Sequence, residues 1–420
     1  MPRQSCKTYK SKKKVSLKGK HITLISLNFY PEQTAIGLYS TQWAQYLESQ
    51  GVKVTVITAF PYYPQWKIHP DYKNKSTFYE EQLGNIRILR YKQYTPERPS
   101  FLKRVFHIID FTLGSRRHFK KIKECDTVIS VIPFTSSAWL GNMLSRKRNA
   151  NHWIHIQDFE FDAAFQSGLT RANKEGKGFL HTQLMKLERN ILNKADCVST
   201  ISHNMMKKLA LKTNSATYYL PNWVESTSLQ NLNSHPFLQS KKFKILYSGN
   251  IGDKQDWSFF MDVLSQLDYG LFEVVIVGDG SKKQWLEENL KMFPNIKIQE
   301  PVPFDELGSL LSSADVHVLF QKTSVLDTVM PSKVLGMMAS AIPSIVTGHP
   351  EAEVGTVLNK SEGGYYIPRN EVTQILDVLH KLREDHGRAQ KMGKQGRAYV
   401  LENYAKQPIL DAFCKELLEL

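Results

Sequence analysis

HITLISLNFYPEQTAIGLYSTQWAQYLESQGVKVTVIT, residues 21–58, contains the signals of a strand, a helix and a second strand in succession. The apolar run from His21 ends in turn-prone residues, and residues 37–51 have helical spacing up to Gly51. Residues 52–58 are rich in β-branched side chains, which favour a strand. A strand, a helix and a strand within about 40 residues predict a right-handed crossover between parallel strands.

Similar alternation continues on both sides of residues 222–241, a polar segment that contains Pro and Asn. Further apolar runs lie at 85–91, 127–133, 152–158, 197–202, 243–252, 272–280, 296–302, 316–321 and 343–348. Strands that alternate with helices are typical of parallel sheets covered on both faces. We therefore expect an α/β protein with two Rossmann-like, doubly wound domains facing each other across a cleft. The expected boundaries are a basic tail at 1–20, domains at 21–221 and 242–400, a linker at 222–241, and a C-terminal helix at 401–420 that can pack back on the first domain.

The composition is that of a globular protein, with 41% hydrophobic and 23% charged residues in a chain of 420. No apolar run approaches the about 18–20 residues that a membrane span needs. Residues 1–20 also lack the apolar core of a signal peptide. Cys6, Cys125, Cys197 and Cys414 are far apart and form no CxxC pair, which indicates neither a disulfide framework nor a zinc module. We expect a cytoplasmic protein.

Basic residues are concentrated near the N-terminus. Eight Lys and Arg residues and no acid lie in residues 1–20, so the net charge of +15 falls to +7 for the other 400 residues. A solvated tail and a contact with anionic lipid headgroups both fit this run, and no nucleic-acid motif accompanies it. Residues 94–121 also mix large apolar side chains with Lys and Arg. That mixture fits either an interfacial membrane segment or a core helix with a basic outer face.

Two loops that follow predicted strands have residues suited to an anion. YSGNIGDKQDW has Gly249 and Gly252 around Asn250, and it places Lys254 at the predicted start of the next helix. Backbone N–H groups, a helix N-terminus and an ammonium group together suit a diphosphate, although a plain turn fits equally well. Gly37, after the first strand, would likewise let backbone approach a ligand. Neither YSGNIGDKQDW nor VGDGSKK contains GxxxxGK[ST] or GxGxxG, which argues against nucleotide hydrolases and dinucleotide oxidoreductases.

Charged residues also lie near the ends of two other predicted elements. Lys333 follows Pro331 and Ser332 at a predicted helix start, where a cation opposes the helix macrodipole unless an anion is bound beside it. The alternative is a lysine that faces solvent. His155 and Asp158 belong to HWIHIQDFEFD, at the carboxyl end of a predicted strand, where doubly wound sheets bind ligands. A lone strand histidine is more often structural than catalytic, and its acidic neighbours favour function.

Eight motifs occur in a fixed order along the chain. They are NFYPEQTAIGLYS (28–40), VTVITAFPYYP (54–64), HIQDFEFDA (155–163), VSTIS (198–202), LPNW (220–223), ILYSGNIGDKQ (245–255), VIVGDG (275–280) and MPSKVLGMMAS (330–340). The ordered set, which covers roughly residues 20–415, resembles the family 4 glycosyltransferases of the GT-B fold. It is most similar to the bacterial branch that builds colanic acid, O-antigen and capsule, including fucosyltransferase-like and N-acetylfucosaminyltransferase-like members.

The resemblance implies transfer of a sugar from a UDP- or GDP-linked nucleotide sugar, with retention at the anomeric carbon. No DxD-type metal site stands out, so we expect a metal-independent enzyme without a cofactor. The acceptor, a lipid-linked saccharide, would lie on the first domain and the donor mainly on the second, with Lys254 on its diphosphate. The other implied donor-site residues are Gly37, Gly249, Asn250, Gly278, Asp279, Ser332 and Lys333. The implied catalytic residues are His155, Asp158 and Asp327.

The sequence departs from the family pattern in two places. Many members have Arg where Asn250 stands, and the wider family has Glu-x7-Glu where this chain has Thr328 and Gly336, with Asp327 one place early. The branch that it resembles carries PSK at this helix instead, so Asp327 and Lys333 are assigned to the donor and ribose recognition stays open. Retention requires either a carboxylate nucleophile or same-face attack guided by the leaving phosphate, and the sequence fits both.

We expect a hexosyltransferase-type enzyme of lipopolysaccharide, capsule or colanic acid biosynthesis. It would be peripheral at the inner face of the plasma membrane, in contact with anionic lipids through residues 1–20 and 94–121, and without a nucleic-acid partner. One alternative is a nucleotide-sugar 2-epimerase of the same architecture, against which NFYPEQTAIG and MPSK argue. The other is a non-catalytic protein that binds anionic surfaces through its basic tail.

Overall fold

A mostly parallel sheet of eight strands forms the first half of the protein. The structure is a computed structural model that describes residues 16–33, 35–98, 100–159, 179–225, 234–293, 296, 298–324, 332–368 and 371–420. The strands are β1 (His21–Ile25), β2 (Lys53–Ala59), β3 (Phe78–Leu83), β4 (Ile86–Tyr91), β5 (Thr127–Ile132), β6 (Asn151–Ile156), β7 (Cys197–Thr200) and β8 (Ala216–Tyr219). Their order is β3-β4-β2-β1-β5-β6-β7-β8, and β3 alone runs antiparallel to its neighbour.

Helices cover both faces of this sheet. They are α1 (Ala35–Ser49), α2 (Phe101–Ser115), α3 (Thr135–Arg148), α4 (Phe179–Leu192) and α5 (His203–Lys212). Ile22 and Leu24 of β1 belong to one buried apolar cluster, and Ile25 belongs to another. Apolar side chains on both faces explain why the central strands have nearly continuous apolar sequences.

A second parallel sheet has six strands in the order β11-β10-β9-β12-β13-β14. These strands are β9 (Phe243–Ser248), β10 (Phe272–Val277), β11 (Ile298–Gln299), β12 (Val316–Phe320), β13 (Ser344–Thr347) and β14 (Gly364–Ile367). The helices around them are α6 (Trp257–Ser265), α7 (Lys283–Leu290), α8 (Phe304–Ser312), α9 (Ser332–Ala339), α10 (Glu353–Ser361), α11 (Val372–Glu384) and α12 (His386–Asn403). The structure thus confirms the expected pair of doubly wound α/β units.

The last helix, α13 (Lys406–Leu417), packs into the core of the first half. The ring of Phe413 lies edge-on to Trp43 at 4.8 Å and to Trp153 at 4.9 Å between centroids. Just before α13, the chain pairs with the segment that leaves the first sheet, since Val224 N donates to Tyr404 O at 2.9 Å. The two segments that connect the halves therefore run side by side.

The carboxyl ends of the two sheets face each other and touch. The carboxylate of Glu353, at the start of α10, accepts hydrogen bonds at 3.1 Å from the backbone N–H groups of His203 and Asn204 at the start of α5. Tyr39 of α1 is hydrogen-bonded to the side chain of Ser332 at the start of α9. Helix starts that follow strand ends consequently line the space between the halves.

Three strands were missed in the sequence, and each of them is a sheet edge. These are β3, with sequence FYEEQL, β8, with ATYY, and β14, with GYYI. An edge strand has a neighbour on one side only and is covered less completely, so it needs no continuous apolar run. At the start of the expected linker, 222–241, Asn222 and Trp223 are buried.

Candidate active site

The loop after β9 is shaped around one lysine of α9. Gly249 has a φ of +121°, and a Cβ atom at this position would lie 2.6 Å from Cε of Lys333. Any other residue would therefore be strained in its backbone and would displace the lysine. Gly249 and Lys333, which are 84 positions apart in the sequence, occupy one site.

Lys333 presents a desolvated ammonium group at this loop. Its Nζ donates to the hydroxyl of Tyr247 at 3.0 Å and to the backbone O of Asn250 at 3.2 Å, and it lies 4.9 Å from the centroid of the Tyr247 ring. Burial lowers the pKa of Lys333 to about 8. Within the described part of the chain, the ammonium has no carboxylate partner. A cation held in this way, by neutral groups only, favours an anionic ligand.

The loops after β9 and β10 are joined by backbone hydrogen bonds. Gly249 N donates to Val277 O and Ile251 N donates to Asp279 O, both at 2.8 Å. A Cβ atom on Gly278 would lie only 1.9 Å from Gly249 O, so this contact requires glycine. The structure thus brings together Gly249, Asn250, Gly278, Asp279 and Lys333, all of which were predicted donor-site residues.

Gly278→Ala is expected to destabilise the protein by about 1–3 kcal/mol, because the new methyl group must push the two loops apart. Gly336→Ala is the matched control, since a Cβ atom there meets only Leu311 Cδ1 at an ordinary 3.6 Å. In the interior of α9 that change is expected to stabilise by up to about 1 kcal/mol. Denaturant unfolding together with amide exchange at Gly249 and Ile251 measures both effects. Equal stability of the two variants would contradict the close packing of these loops.

Lys254 is exposed, and its side chain has no partner among the described residues. The helix after it begins later than expected, at Trp257, and Asp256 caps it by accepting a hydrogen bond from Phe259 N at 3.1 Å. A carboxylate therefore lies at the helix N-terminus, where the sequence predicts a bound anion. The contact of Lys254 with a donor diphosphate stays a prediction, and it requires the lysine side chain to extend across the loop.

His155 lies inside the first half, with an exposed fraction of 1%. Its Nδ1 is 2.9 Å from Ser199 Oγ, its Nε2 is 2.9 Å from Gln157 Nε2, and its ring lies edge-on to Trp43. Burial lowers the pKa of His155 to about 3, so the ring is neutral at pH 7. With both nitrogens engaged, the histidine joins β6 to β7 in this conformation, and this geometry favours its structural interpretation over a catalytic one.

Asp158 lies two residues after β6, half-buried at the carboxyl end of the sheet. Its carboxylate has no hydrogen-bond or ion-pair partner among the residues that the structure describes. The adjacent Gln157 exchanges two amide hydrogen bonds with Asn222 of the LPNW motif, at 2.9 and 3.2 Å. The role of Asp158 in the site therefore stays a prediction, whereas Asp327 falls outside the described residues.

Gly37 packs against the loop that precedes α1. It is buried in the first turn of α1, where a Cβ atom would come within 2.8 Å of Glu32 O, so this contact requires glycine, and its part in donor binding stays a prediction. Glu32 was missed in the sequence. Its buried carboxylate accepts hydrogen bonds from Tyr62 N and Tyr63 N at 2.8 Å and from Asn28 Nδ2 at 2.9 Å, and burial raises its pKa. One sequence feature could have indicated this junction of two loops. It is an acidic residue that lies between turn-forming residues in NFYPEQ, with FPYYP further along the chain.

No group of three or more His, Cys, Asp or Glu side chains in the described ranges is arranged to hold a metal ion. None of the helices in the described part of the chain combines the length and apolar composition that a bilayer span requires.

Two family models match the chain, one on each side of the cleft. Residues 34–223 match the glycosyl transferase 4-like domain, and residues 242–385 match glycosyl transferases group 1. The first match contains α1 with Tyr39, and the second contains the Gly249 loop and Lys333.

Similar proteins agree with these matches. The chain is 32% identical over 366 residues to WcaI, a candidate colanic acid biosynthesis glycosyl transferase of Escherichia coli (strain K12), covering 81% of this chain and 86% of that protein. Sucrose-phosphate synthase from Thermosynechococcus elongatus has a TM-score of 0.75 at 15% identity, over 95% of this chain and 98% of that one. HepE of Anabaena, in complex with UDP-glucose, has a TM-score of 0.66 at 10% identity, over 95% and 100%. The chain therefore belongs to the group 1, or family 4, glycosyltransferases, and its two facing α/β units are the GT-B fold.

Proposed function

We propose that the protein transfers a hexose-type sugar from a UDP- or GDP-linked donor to a lipid-linked saccharide, with retention and without a metal ion. The observation that carries this proposal is Lys333, a desolvated ammonium group beside the backbone of Gly249 and Asn250. When the sugar–phosphate bond breaks, negative charge develops on the departing nucleoside diphosphate. A fixed cation stabilises that charge without first having to reorganise.

The second half is the proposed donor side. Lys333 would contact the diphosphate, and the exposed Lys254 would reach it from the neighbouring loop. Asp279, exposed at the end of β10, and Gly278 would lie near the base or ribose. HepE, which has the same fold, was solved with UDP-glucose, and this supports a nucleotide sugar as the ligand class.

The first half is the proposed acceptor side. Asp158 offers a carboxylate at the carboxyl end of β6, and Glu32 fixes the two loops after β1 and β2. The similarity to WcaI supports an acceptor in cell-surface polysaccharide biosynthesis. We propose that this acceptor is carried on a lipid, and that the protein is accordingly peripheral at the inner face of the plasma membrane.

A thermal-shift screen of UDP, GDP and their common sugars in EDTA tests the donor class. A ligand at 100 times its Kd is expected to stabilise the protein by about 2.7 kcal/mol. We expect a shift with one nucleotide that is reduced in Lys254→Ala. Proton NMR of the product, with the donor's anomeric configuration as reference, then tests retention. A donor shift that needs a divalent ion would contradict metal independence, and no shift with any nucleotide would contradict the proposal.

A further inference from the structure

Helix α2 carries a line of large apolar side chains that the protein leaves exposed. Leu102, Phe106, Ile109 and Leu113 are 68%, 63%, 48% and 58% exposed. Their spacing places them on one helix face, over about 16 Å at 1.5 Å per residue. Four of the twelve large apolar side chains that are exposed in the described residues thus form one surface, which we name the α2 stripe.

The α2 stripe is not an unfinished core, because the other side of the same helix is packed. His107 and Phe111 are buried. Asp110, the sole acid of α2, accepts hydrogen bonds from the Tyr91 hydroxyl at 2.9 Å and from Tyr94 N at 2.6 Å. The acid is engaged with neighbouring residues, so the outer face of the helix has apolar side chains without an unpaired carboxylate.

Cations border the α2 stripe at both ends of the helix. Lys103 and Arg104 are exposed in its first turn, and Arg116, Arg117 and Lys120 are exposed just after its last turn. Apolar side chains flanked by cations match the interfacial layer of a bilayer that contains anionic lipids. There, the apolar groups enter the acyl boundary and the cations meet lipid phosphates.

We propose that the α2 stripe is the surface by which this protein docks on a membrane that contains anionic lipids. The proposal deepens the proposed function, on which it rests for the lipid-linked acceptor, by naming the surface. Docking through the α2 stripe differs from docking through the basic tail. Salt screens the attraction between the tail and lipid phosphates, but it does not screen the insertion of apolar side chains into the bilayer.

Docking through α2 would orient the acceptor side toward the lipid. The ring of His107, on the inner side of α2, lies 4.8 Å from the ring of Tyr62. Tyr62 N in turn donates to the carboxylate of Glu32, which joins the loops after β1 and β2. The contacts from α2 to these loops are therefore continuous, and a saccharide on a membrane lipid would meet this edge of the first half.

Co-sedimentation with vesicles of phosphatidylcholine mixed with phosphatidylglycerol tests the proposal, with vesicles of phosphatidylcholine alone for comparison. The full chain with Leu102, Phe106, Ile109 and Leu113 all changed to Ser is expected to bind the mixed vesicles about tenfold or more weakly. Phe106→Ser alone is expected to show a smaller loss in the same direction, and it serves if the fourfold variant folds poorly. Phe106→Trp provides a direct readout, because brominated lipids quench a tryptophan that enters the bilayer.

Two control variants separate the α2 stripe from exposed apolar surface in general. Leu211, 79% exposed on α5, and Met292, 72% exposed beyond α7, are changed to Ser and are expected to leave vesicle binding unchanged. A chain that lacks residues 1–15 is expected to keep the binding that persists at high salt. In contrast, the fourfold variant should lose that component.

Each outcome bears on one proposal. Wild-type binding by the fourfold variant would overturn docking through the α2 stripe. A change from dimer to monomer in that variant, with vesicle binding unchanged, would show instead that the stripe is an interface between copies of this chain. Stripe-dependent vesicle binding without any nucleotide-induced thermal shift would contradict the proposed function while leaving the docking surface intact.

Discussion

Lys333→Met is expected to lower kcat/KM for the sugar donor by about 10²–10³-fold, the usual loss when one fixed group that stabilises transition-state charge is removed. Lys333 is held against Tyr247 and the carbonyl of Asn250, and within the described residues it has no carboxylate to neutralise it. Steady-state release of nucleoside diphosphate, measured with a coupled assay, gives the ratio. The protein should remain folded, since methionine fills a similar volume in a site that is already desolvated.

The pH dependence of donor binding provides a second signature of the same lysine. Burial lowers the pKa of Lys333 to about 8, so the free protein loses this positive charge as the pH rises through that value. A diphosphate binds the protonated form, and donor affinity should therefore fall about tenfold per pH unit above it. Burial raises the pKa of the neighbouring Tyr247, which stays protonated throughout. Lys333→Met should show no such decline.

Two variants control for the loss of charge. Lys291→Met removes an exposed lysine just after α7 and is expected to retain wild-type kinetics. Tyr247→Phe removes the hydroxyl that accepts from Lys333 Nζ and is expected to show a smaller loss than Lys333→Met. Unchanged donor affinity and an unchanged pH profile in Lys333→Met would exclude this lysine from the donor site.

Phe413→Ala is expected to lower the free energy of unfolding of the first half by about 3–5 kcal/mol, the cost of truncating a fully buried aromatic side chain. Phe413 has no exposed surface, and it lies edge-on to two tryptophans, Trp43 and Trp153. Calorimetry should show the transition of the first half moving to lower temperature, ahead of the second.

Leu211→Ala is the matched control for Phe413→Ala, because it also truncates a large apolar side chain but at a position that is 79% exposed. We expect it to change the unfolding free energy by less than about 0.5 kcal/mol. Amide exchange in β1 and β6 should accelerate in Phe413→Ala alone. If both variants unfolded together with the wild type, the docking of α13 on the first half would not contribute to its stability.

The sequence indicated the two loops of the proposed donor side because their chemistry is local. Gly249 and Gly278 each follow a buried strand directly, and parallel strands bring their carboxyl ends to one edge. Lys333 was found from its conflict with the helix macrodipole. Its partners were not, because the contacts with Tyr247 and Asn250 depend on how α9 packs against β9, which no short segment encodes.

The surroundings of His155 and Glu32, on the proposed acceptor side, were harder to predict because they depend on burial. His155 was placed near the carboxyl end of a predicted strand, but only the packing of Ser199 and Gln157 around it shows that both ring nitrogens are engaged. Glu32 appears in the sequence as one more polar loop residue. Its function in joining two loops arises from Tyr62 and Tyr63, which are 30 and 31 positions further along.

The position of α13 in the core of the first half determines when that core can be completed during synthesis on the ribosome. Leu410, Phe413 and Leu417 complete a buried cluster whose other members lie between Leu17 and Trp223. The stretch from Tyr219 to Lys406 takes about 10–40 s to synthesise at roughly 5–20 residues per second. Throughout that interval the nascent first half exposes the apolar face that α13 later covers, so this core is completed only after α13 has been made.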